Sequence, residues 1–328
     1  MAPRASEDVQ CVADTPTLDV NDAVTGYRYE AHGYALPWDG IARTIGINVW
    51  YPTDDPSDEA ALYIDIWPDA DARTHSPVSG ADCVRPLVVY SHGSQAWGGN
   101  GSPLLRQFVR NGWIAAAPDH TDNLLSQDID PKPVNFPAIR AADVIETLDW
   151  LETLPDDDPL AGKVDTSRVV VLGHSFGGQT SWLLSGVGLV ESTEPALAEP
   201  LGDARIVGVG PMAGTAASDL VDDTTWGSVG VPILYMTGTA DNDGSEAYIR
   251  ASAADVRWIE IEGACHESFT ATELPCSTLP KDQAAAITAA YATAFGWATV
   301  LEGDDAAMTE ILDGTTVVSE AVRFQHSR

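Results

Sequence analysis

Ser175 lies in the pentapeptide Gly-His-Ser-Phe-Gly (residues 173–177), between a β-branched run and a segment with helix-like spacing. A serine hydroxyl is a weak nucleophile at neutral pH and attacks a carbonyl carbon only when a neighbouring base takes its proton. Glycines around such a serine permit a tight turn from a strand into a helix, where a Cβ would clash with passing backbone. The pattern therefore predicts a nucleophile elbow that exposes Ser175 above a sheet.

Candidates for a general base and for an acid that orients it follow Ser175 in the chain. His266 comes just after the strand-like run at 257–263. Asp241 comes three residues after Gly238, which ends the strand-like run at 231–238. The order serine, aspartate, histidine is typical of triads built on a mostly parallel sheet. We predict Ser175 as nucleophile, His266 as base and Asp241 as acid, with Asp243 as the alternative acid.

The other six of the seven histidines receive different interpretations. His174 lies inside the elbow and is expected to point away from its own serine. His92 precedes a glycine and is expected to order its loop. Packing or surface roles are predicted for the rest: His32, His75, His120 and His326.

A site for acyl transfer also needs N–H donors for the oxyanion of the tetrahedral intermediate. The residue after the nucleophile supplies one, which here is Phe176. The glycine-rich loop at 90–102 follows the third predicted strand and supplies the other, with Ser94 as the first choice and Gln95 as the second. Gln95 and Trp97 are also candidates to contact substrate, although simple packing is an equal alternative for Trp97.

The elements that must position these residues alternate along the chain. Eight strands are predicted, at 27–36, 44–52, 86–93, 113–120, 168–175, 205–212, 231–238 and 257–263, and helices at about 101–111, 137–154, 176–186, 245–253 and 282–302. Crossovers separate the later strands, whereas the first two follow each other directly. The pattern predicts an α/β fold with a mostly parallel eight-stranded sheet, an antiparallel start and helices on both faces. We assign residues 1–25 to a polar N-terminal segment, 26–314 to the catalytic domain and 315–328 to a C-terminal tail.

Net charge and apolar content limit the partners. The formal net charge is −32, so phosphate backbones and anionic membranes should be repelled. No apolar run reaches the length of about 18 residues that a transmembrane helix needs. The polar N-terminus lacks a signal peptide, which indicates either a cytoplasmic protein or a secreted or periplasmic one whose signal has been removed.

Metal binding is not expected. The four cysteines (Cys11, Cys83, Cys265 and Cys276) form no Cys-x-x-Cys pair and have no zinc spacing to histidine. A calcium loop around Asp241 fails because Arg250 would occupy the position of its glutamate ligand. The even cysteine count permits two disulfides and favours an oxidising compartment; Cys265 with Cys276 would close a short loop around His266, but the pairing stays open.

Several segments together carry a family resemblance. They are INVWYPT, LVVYSHGS, RNGWIAAAPDHTDN, RAADVIETLDWL, GHSFGG and GACHESF, spread over about residues 40–270. The chain resembles the α/β-hydrolase superfamily, and within it the platelet-activating-factor acetylhydrolases, the dienelactone-hydrolase-like esterases and their polyester-hydrolysing relatives. It departs from true dienelactone hydrolases by a serine in place of cysteine, and from the mammalian acetylhydrolases by an acid after the seventh strand rather than the sixth. The resemblance implies a serine esterase that needs no cofactor.

Access to the serine follows from loop length. About 18 residues separate Met212 from Val231, too few for a large helical cap. Only the excursion at 186–204 could overhang the cleft. An open cleft favours short-chain or aryl esters; the alternatives are a cutinase-like polyester hydrolase and a non-catalytic binding module of the same fold.

Overall fold

The computed structural model of the protein describes residues 11–12, 15–18, 24–80, 83–190, 201–214, 221–241, 243–303 and 305–328. Within these residues, eleven strands form one mixed sheet. The strands are β1 (Thr25–Ala35), β2 (Ala42–Tyr51), β3 (Ala60–Tyr63), β4 (Trp67–Thr74), β5 (Arg85–Ser91), β6 (Ile114–Asp119), β7 (Val164–His174), β8 (Ile206–Met212), β9 (Ile233–Gly238), β10 (Val256–Ile261) and β11 (Val322–Ser327). The helices are α1 (Ser102–Arg110), α2 (Phe136–Glu152), α3 (Phe176–Leu184), α4 (Ser245–Arg250), α5 (Lys281–Val300) and α6 (Ala306–Leu312).

The strand order is β11-β10-β9-β8-β7-β5-β6-β2-β1-β4-β3. Six neighbouring strands in this order, β10, β9, β8, β7, β5 and β6, run parallel to one another. β2 is antiparallel to both β6 and β1, which is the antiparallel start of the sheet. Because the carboxyl ends of the parallel strands open at one edge, the loops that follow β5, β7, β9 and β10 meet there.

The predicted number of eight strands is wrong, since the sheet has eleven. The eight predicted strands correspond to β1, β2 and β5–β10, and the three missed strands lie at the two ends of the sheet. β3 has four residues, and β4 contains Pro68 and two aspartates, so neither has the composition of a buried strand. β11 lies within the segment assigned as a tail and pairs antiparallel with β10.

The core lies on both faces of the central strands. Successive residues of β5 alternate between the two layers: Val88 and Tyr90 face the layer with α1, α5 and α6, whereas Leu87 and Val89 face the layer with α2, α3 and α4. All seven residues of β5 are buried. Strands that are covered on both faces read as continuous apolar runs, which is why these central strands were predictable.

Two disulfides crosslink the chain, one between residues far apart in sequence and one across a short loop. Cys11 pairs with Cys83, with their Cα atoms 5.5 Å apart, and Cys265 pairs with Cys276 at 5.8 Å. The first connects the N-terminal segment to the residues before β5. The second closes the loop around His266.

Neither a membrane-spanning helix nor a helical cap over the cleft is found among the described residues. No helix in this part of the chain is long and apolar enough to cross a membrane. Between β8 and β9, the described residues 213–214 and 221–232 hold a single 3₁₀ turn at Trp226–Ser228 and no helical cap. Most of the predicted excursion at 186–204 falls on residues 191–200, which lie outside the described residues.

Candidate active site

Ser175 connects β7 to α3 with φ 55° and ψ −116°. A non-glycine residue at positive φ is strained by about 1–3 kcal/mol and persists only where surrounding contacts hold it. Here the Ser175 N–H donates to the Met212 carbonyl at 2.9 Å, and the Ser175 carbonyl accepts from the Gln179 N–H at 3.1 Å. These bonds fasten the turn to β8 on one side and to the first turn of α3 on the other.

Two glycines permit this turn. A Cβ on Gly173 would lie 2.0 Å from the Gly177 carbonyl oxygen, and a Cβ on Gly177 would lie 1.8 Å from the Ser91 carbonyl oxygen. Neither backbone oxygen can move without breaking the sheet or the helix. The glycines of the pentapeptide are therefore a steric requirement of the turn.

His266 begins a 3₁₀ turn (His266–Phe269) in the loop after β10, and Asp241 follows β9. The His266 Nδ1 lies 3.0 and 3.1 Å from the two carboxylate oxygens of Asp241. Because a carboxylate can only accept, Nδ1 carries the proton and Nε2 keeps its lone pair. The hydrogen bond that His266 donates to Asp241 raises the pKa of His266, against an opposing effect of burial.

Asp243, the alternative acid, makes a different contact. Its side chain is exposed and accepts from the Ser245 backbone N–H at 2.9 Å. That hydrogen bond lowers the pKa of Asp243. The Asp241 side chain, by contrast, is only 7% exposed, so the carboxylate that contacts His266 is the one sheltered from water.

The side chain of His174 bonds to the backbone of His266, a role that the sequence did not indicate. Its Nε2–H donates to the His266 carbonyl oxygen at 2.8 Å, and the two rings lie 4.8 Å apart. Burial, followed by the nearby His266, lowers the pKa of His174 to about 3, so this ring stays neutral. The elbow residue thus holds the backbone of the histidine loop.

Ser175 and His266 line one cleft of about 260 Å³. Gly93, Ser94, Gln95, Ala96, Trp97, Trp67, Asn100, Leu125, His174, Glu267 and Thr272 complete its lining. A larger cavity of about 670 Å³ lies between β1 and the β3–β4 hairpin, and neither Ser175 nor His266 lines it.

The candidate oxyanion donors come from two loops. Phe176 is the first residue of α3, so its N–H has no partner within the helix. Gln95 has φ 55°, and its side-chain amide donates to Asp128 at 2.7 Å. Ser94 Oγ accepts from Asn123 Nδ2 at 3.1 Å. The loop after β5 is thus tied by side chains to the loop after β6.

Asp128 organises this second loop. Hydrogen bonds from Lys132, Gln95 and Asn123 lower its pKa to about 2, so it is ionised at any ordinary pH. The Gln95 side chain is therefore bonded to an anion.

A second serine, histidine and aspartate are joined by hydrogen bonds beneath the elbow. Ser91 Oγ lies 2.9 Å from His120 Nε2, and His120 Nδ1 lies 2.8 Å from Asp143. All three residues are fully buried. The expectation that His120 has a packing role agrees with this burial, but the prediction missed Asp143, which α2 brings from another part of the chain.

Buried arginines surround this second set. Arg43 makes two hydrogen bonds to Asp143, at 2.6 and 2.9 Å. Arg140 donates to Ser91 Oγ at 3.2 Å and to the His92 carbonyl oxygen, and its guanidinium stacks 4.6 Å from the Phe176 ring. Burial, then Arg140 and Arg43, lower the pKa of His120 well below its usual value.

Metal ligation is the remaining possibility for such clusters. Among the residues that the structure describes, no group of three or more histidine, cysteine, aspartate or glutamate side chains is arranged to hold a metal ion.

Comparison with known proteins gives the fold. No protein-family model matches the chain, and no curated protein does. Among solved structures, a ferulic acid esterase from Streptomyces cinnamoneus is similar with a TM-score of 0.65, covering 96% of this chain and 99% of that one at 22% sequence identity. At this identity, the likeness establishes a common fold.

Proposed function

We propose that the protein is a serine carboxylic-ester hydrolase in which Ser175, His266 and Asp241 act as nucleophile, base and orienting acid. One observation carries the proposal: a strained serine at a strand-to-helix turn lines the same cleft as a histidine whose Nδ1 is held by a sheltered carboxylate. A structural neighbour that is itself a ferulic acid esterase also supports an ester as substrate.

In the first half-reaction, His266 Nε2 takes the proton of Ser175 Oγ while Oγ bonds to the ester carbonyl carbon. The carbonyl oxygen becomes an oxyanion that accepts from the backbone N–H groups of Phe176 and Ser94, with Gln95 as the alternative second donor. The C–O bond to the alcohol then breaks, and the alcohol leaves with the proton from His266. The acyl group remains on Ser175.

In the second half-reaction, water takes the place of the alcohol. His266 removes a proton from the water as its oxygen attacks the acyl carbon, and the same donors hold the oxyanion. The acid is released when Ser175 Oγ leaves and recovers the proton from His266. None of these steps uses a cofactor.

The shape of the cleft supports short-chain or aryl esters as substrates. The cleft is small, and the described residues between β8 and β9 form no cap over it. A cutinase-like polyester hydrolase is the second candidate, since two exposed apolar side chains, Trp67 and Leu125, line the cleft. Either enzyme should lose activity as acyl chains lengthen and show no jump at the solubility limit of the substrate.

The two disulfides support an oxidising location, and we propose that the protein is secreted or periplasmic. The acidic surface, with a net charge of −32, favours neutral esters over nucleic acids or anionic lipids as partners.

Fluorophosphonate labelling tests the proposal, because such probes react only with an activated serine. The protein should take up one label on Ser175 and hydrolyse aryl acetates and butyrates, whereas Ser175→Ala should do neither. Ser91→Ala is the matched control and should still be labelled. Absence of label on the folded parent protein would indicate a non-catalytic binding module and overturn the proposal.

A further inference from the structure

Trp67 lines the cleft together with Ser175, although nothing in the local sequence marked it. It is the first residue of β4, at the far end of the sheet, and is 37% exposed. Its ring centroid lies 5.0 Å from that of Trp97, with the planes at 46°. Trp97 is only 4% exposed, so one indole is buried in the loop after β5 and the other is left partly open to a ligand.

The β3–β4 hairpin that carries Trp67 has a tight turn. Ile64 and Asp65 both have positive φ, at 44° and 63°, and Trp67 pairs with Tyr63 across the turn. Positive φ is unfavourable for a β-branched residue such as isoleucine. Contacts elsewhere in the hairpin must therefore hold this turn.

Asp69 supplies those contacts. It is buried, accepts from Tyr63 Oη and from Ser102 Oγ at 2.9 Å each, and forms an ion pair with Arg106. Ser102 and Arg106 belong to α1, which follows the loop that carries Trp97. Side chains two residues apart on a strand share a face, so the anchoring of Asp69 also sets the direction of Trp67.

A second contact fixes the hairpin against the Trp97 loop itself. A Cβ on Gly99 would lie 2.5 Å from the Tyr63 ring, so the loop packs directly on this tyrosine. Tyr63 Oη also accepts from the Trp50 indole N–H at 2.9 Å. The two indoles are thus held on structures that are locked to each other before any ligand arrives.

We propose that Trp67 and Trp97 form an aromatic platform that binds an uncharged aryl ring of the ester substrate; the proposal rests on the function proposed above. Aromatic rings pack favourably on indoles in offset or edge geometries beyond what burial of their area contributes. Leu125 adds an exposed apolar side chain to the same cleft, and Glu267 adds a carboxylate that disfavours anionic rings. Trp67 is the specificity-determining residue of the pair, because it is the ring with open surface.

Matched esters test the platform. The pairs are methyl cinnamate against methyl 3-cyclohexylpropenoate, with the ring on the acyl side, and benzyl acetate against cyclohexylmethyl acetate, with the ring on the alcohol side. We expect Trp67→Leu to lower the aryl-over-cyclohexyl ratio of kcat/KM by roughly three- to tenfold in at least one pair. The pair that responds identifies the side of the ester that the platform holds.

The matched control is Ile66→Ala, which changes an adjacent side chain that is 61% exposed and does not line the cleft. This variant should keep the parent ratio in both pairs. The far-UV circular dichroism spectrum and the Tm of Trp67→Leu should match those of the parent protein and so report an intact fold. If Trp67→Leu keeps the parent ratio in both pairs, the platform is refuted.

A binding measurement separates this proposal from the proposed function. Equilibrium dialysis of methyl cinnamate and of benzyl acetate with Ser175→Ala should give, for at least one of the two esters, a Kd that rises roughly three- to tenfold when Trp67→Leu is added. If the parent protein hydrolyses no ester but this dependence on Trp67 is found, the hydrolase proposal fails and the platform stands. If the parent hydrolyses esters and Trp67→Leu leaves the Kd of both esters unchanged, the platform fails and the hydrolase proposal stands.

Discussion

The protein contains the same three residue types, serine, histidine and aspartate, in two neighbouring places. Ser91, His120 and Asp143 are joined by hydrogen bonds of 2.9 and 2.8 Å and are fully buried. His266 is partly exposed, with 36% of its side chain accessible, and it lines a cleft with Ser175. Residue types and hydrogen bonds alone therefore do not distinguish an active site from a structural network.

The surroundings of the two histidines account for the difference. Burial, followed by Arg140 and Arg43, holds the pKa of His120 well below its usual range, which disfavours protonation of this ring. Asp241 raises the pKa of His266 with no arginine opposing it. A base poised near neutral pH is the more effective catalyst.

The two serines also differ in backbone. Ser91 ends a regular strand, where its hydroxyl donates to His120 and accepts from Arg140. Ser175 sits at positive φ on a turn that lifts it out of the sheet. Access and backbone strain, together with the direction of the pKa shift of the base, favour the proposed nucleophilic role of Ser175 over one for Ser91.

The largest expected difference is between the two serine variants. Ser175→Ala should lower kcat on a short aryl ester by roughly 10³- to 10⁶-fold, as loss of a nucleophile does in serine hydrolases. Ser91→Ala should change kcat by less than about tenfold while lowering the free energy of unfolding by roughly 1–3 kcal/mol, because partners of the hydroxyl lose a buried hydrogen bond. Steady-state kinetics and urea unfolding measure the two effects. A collapse of kcat in a folded Ser91→Ala protein would contradict the distinction drawn here.

The aspartates should separate in the same way with smaller effects. Asp241→Asn should reduce kcat by roughly 10²- to 10⁴-fold with little loss of stability, since the base loses its orientation and charge partner. Asp143→Asn should leave kcat of the folded fraction nearly unchanged but cost about 3–5 kcal/mol of unfolding free energy, because Arg43 loses its buried partner.

Asp243→Asn is the control for both aspartate variants. Its exposed carboxylate is bonded to Ser245, by the backbone N–H and the side chain, and not to His266, so kinetics and stability should both stay near those of the parent. Greater damage from Asp243→Asn than from Asp241→Asn would reverse the assignment of the acid.

The pH profile sharpens the comparison of the histidines. His266 must be neutral to accept a proton, and its raised pKa places the acid limb of kcat/KM above pH 6.5. Below that midpoint kcat/KM should fall tenfold per pH unit, and Asp241→Asn should move the midpoint to lower pH. Because burial lowers the pKa of His120 well below its usual value, the acid limb should have a slope of one. A limb of slope two in this range would show that both histidines titrate.

The smallest expected effect is that of salt. Sodium chloride at about 1 M shortens the screening length to about 3 Å, which should relieve repulsion among the surface carboxylates and raise Tm. The chemistry in the cleft acts on a neutral ester, so kcat should change by less than about twofold. Differential scanning calorimetry and initial rates on the same samples measure both; a flat or falling Tm would mean that the acidic excess does not destabilise the fold.

Several features of the molecule could be predicted from local sequence. Continuous apolar runs marked the central strands, and Gly173 and Gly177 around Ser175 marked the elbow, because the steric demands of that turn exclude a Cβ. The positions of Asp241 and His266 just after strands placed both at one edge of the sheet, and the structure brings them within 3.1 Å of each other.

Other features of the molecule could not be predicted from local sequence. The three outer strands lack the composition of a buried strand: β3 has only four residues, β4 contains Pro68 and two aspartates, and no residue of β11 is buried. The hairpin that carries Trp67 lies more than one hundred residues before Ser175 in the chain. Asp69, which contacts Ser102 and Arg106, holds this hairpin at the cleft.

The sequence by itself determined the properties that depend on neighbours along the chain: the tight turn at Ser175, the alternation of strands and helices, and the strongly acidic charge. Tertiary structure decided which partners each side chain meets. His120 and His266 both follow strands, yet Arg140 and full burial surround the first, and Asp241 and an open cleft the second. The pKa of a histidine depends on solvation and on charges within a few ångströms, and distant segments bring those charges only when the chain folds.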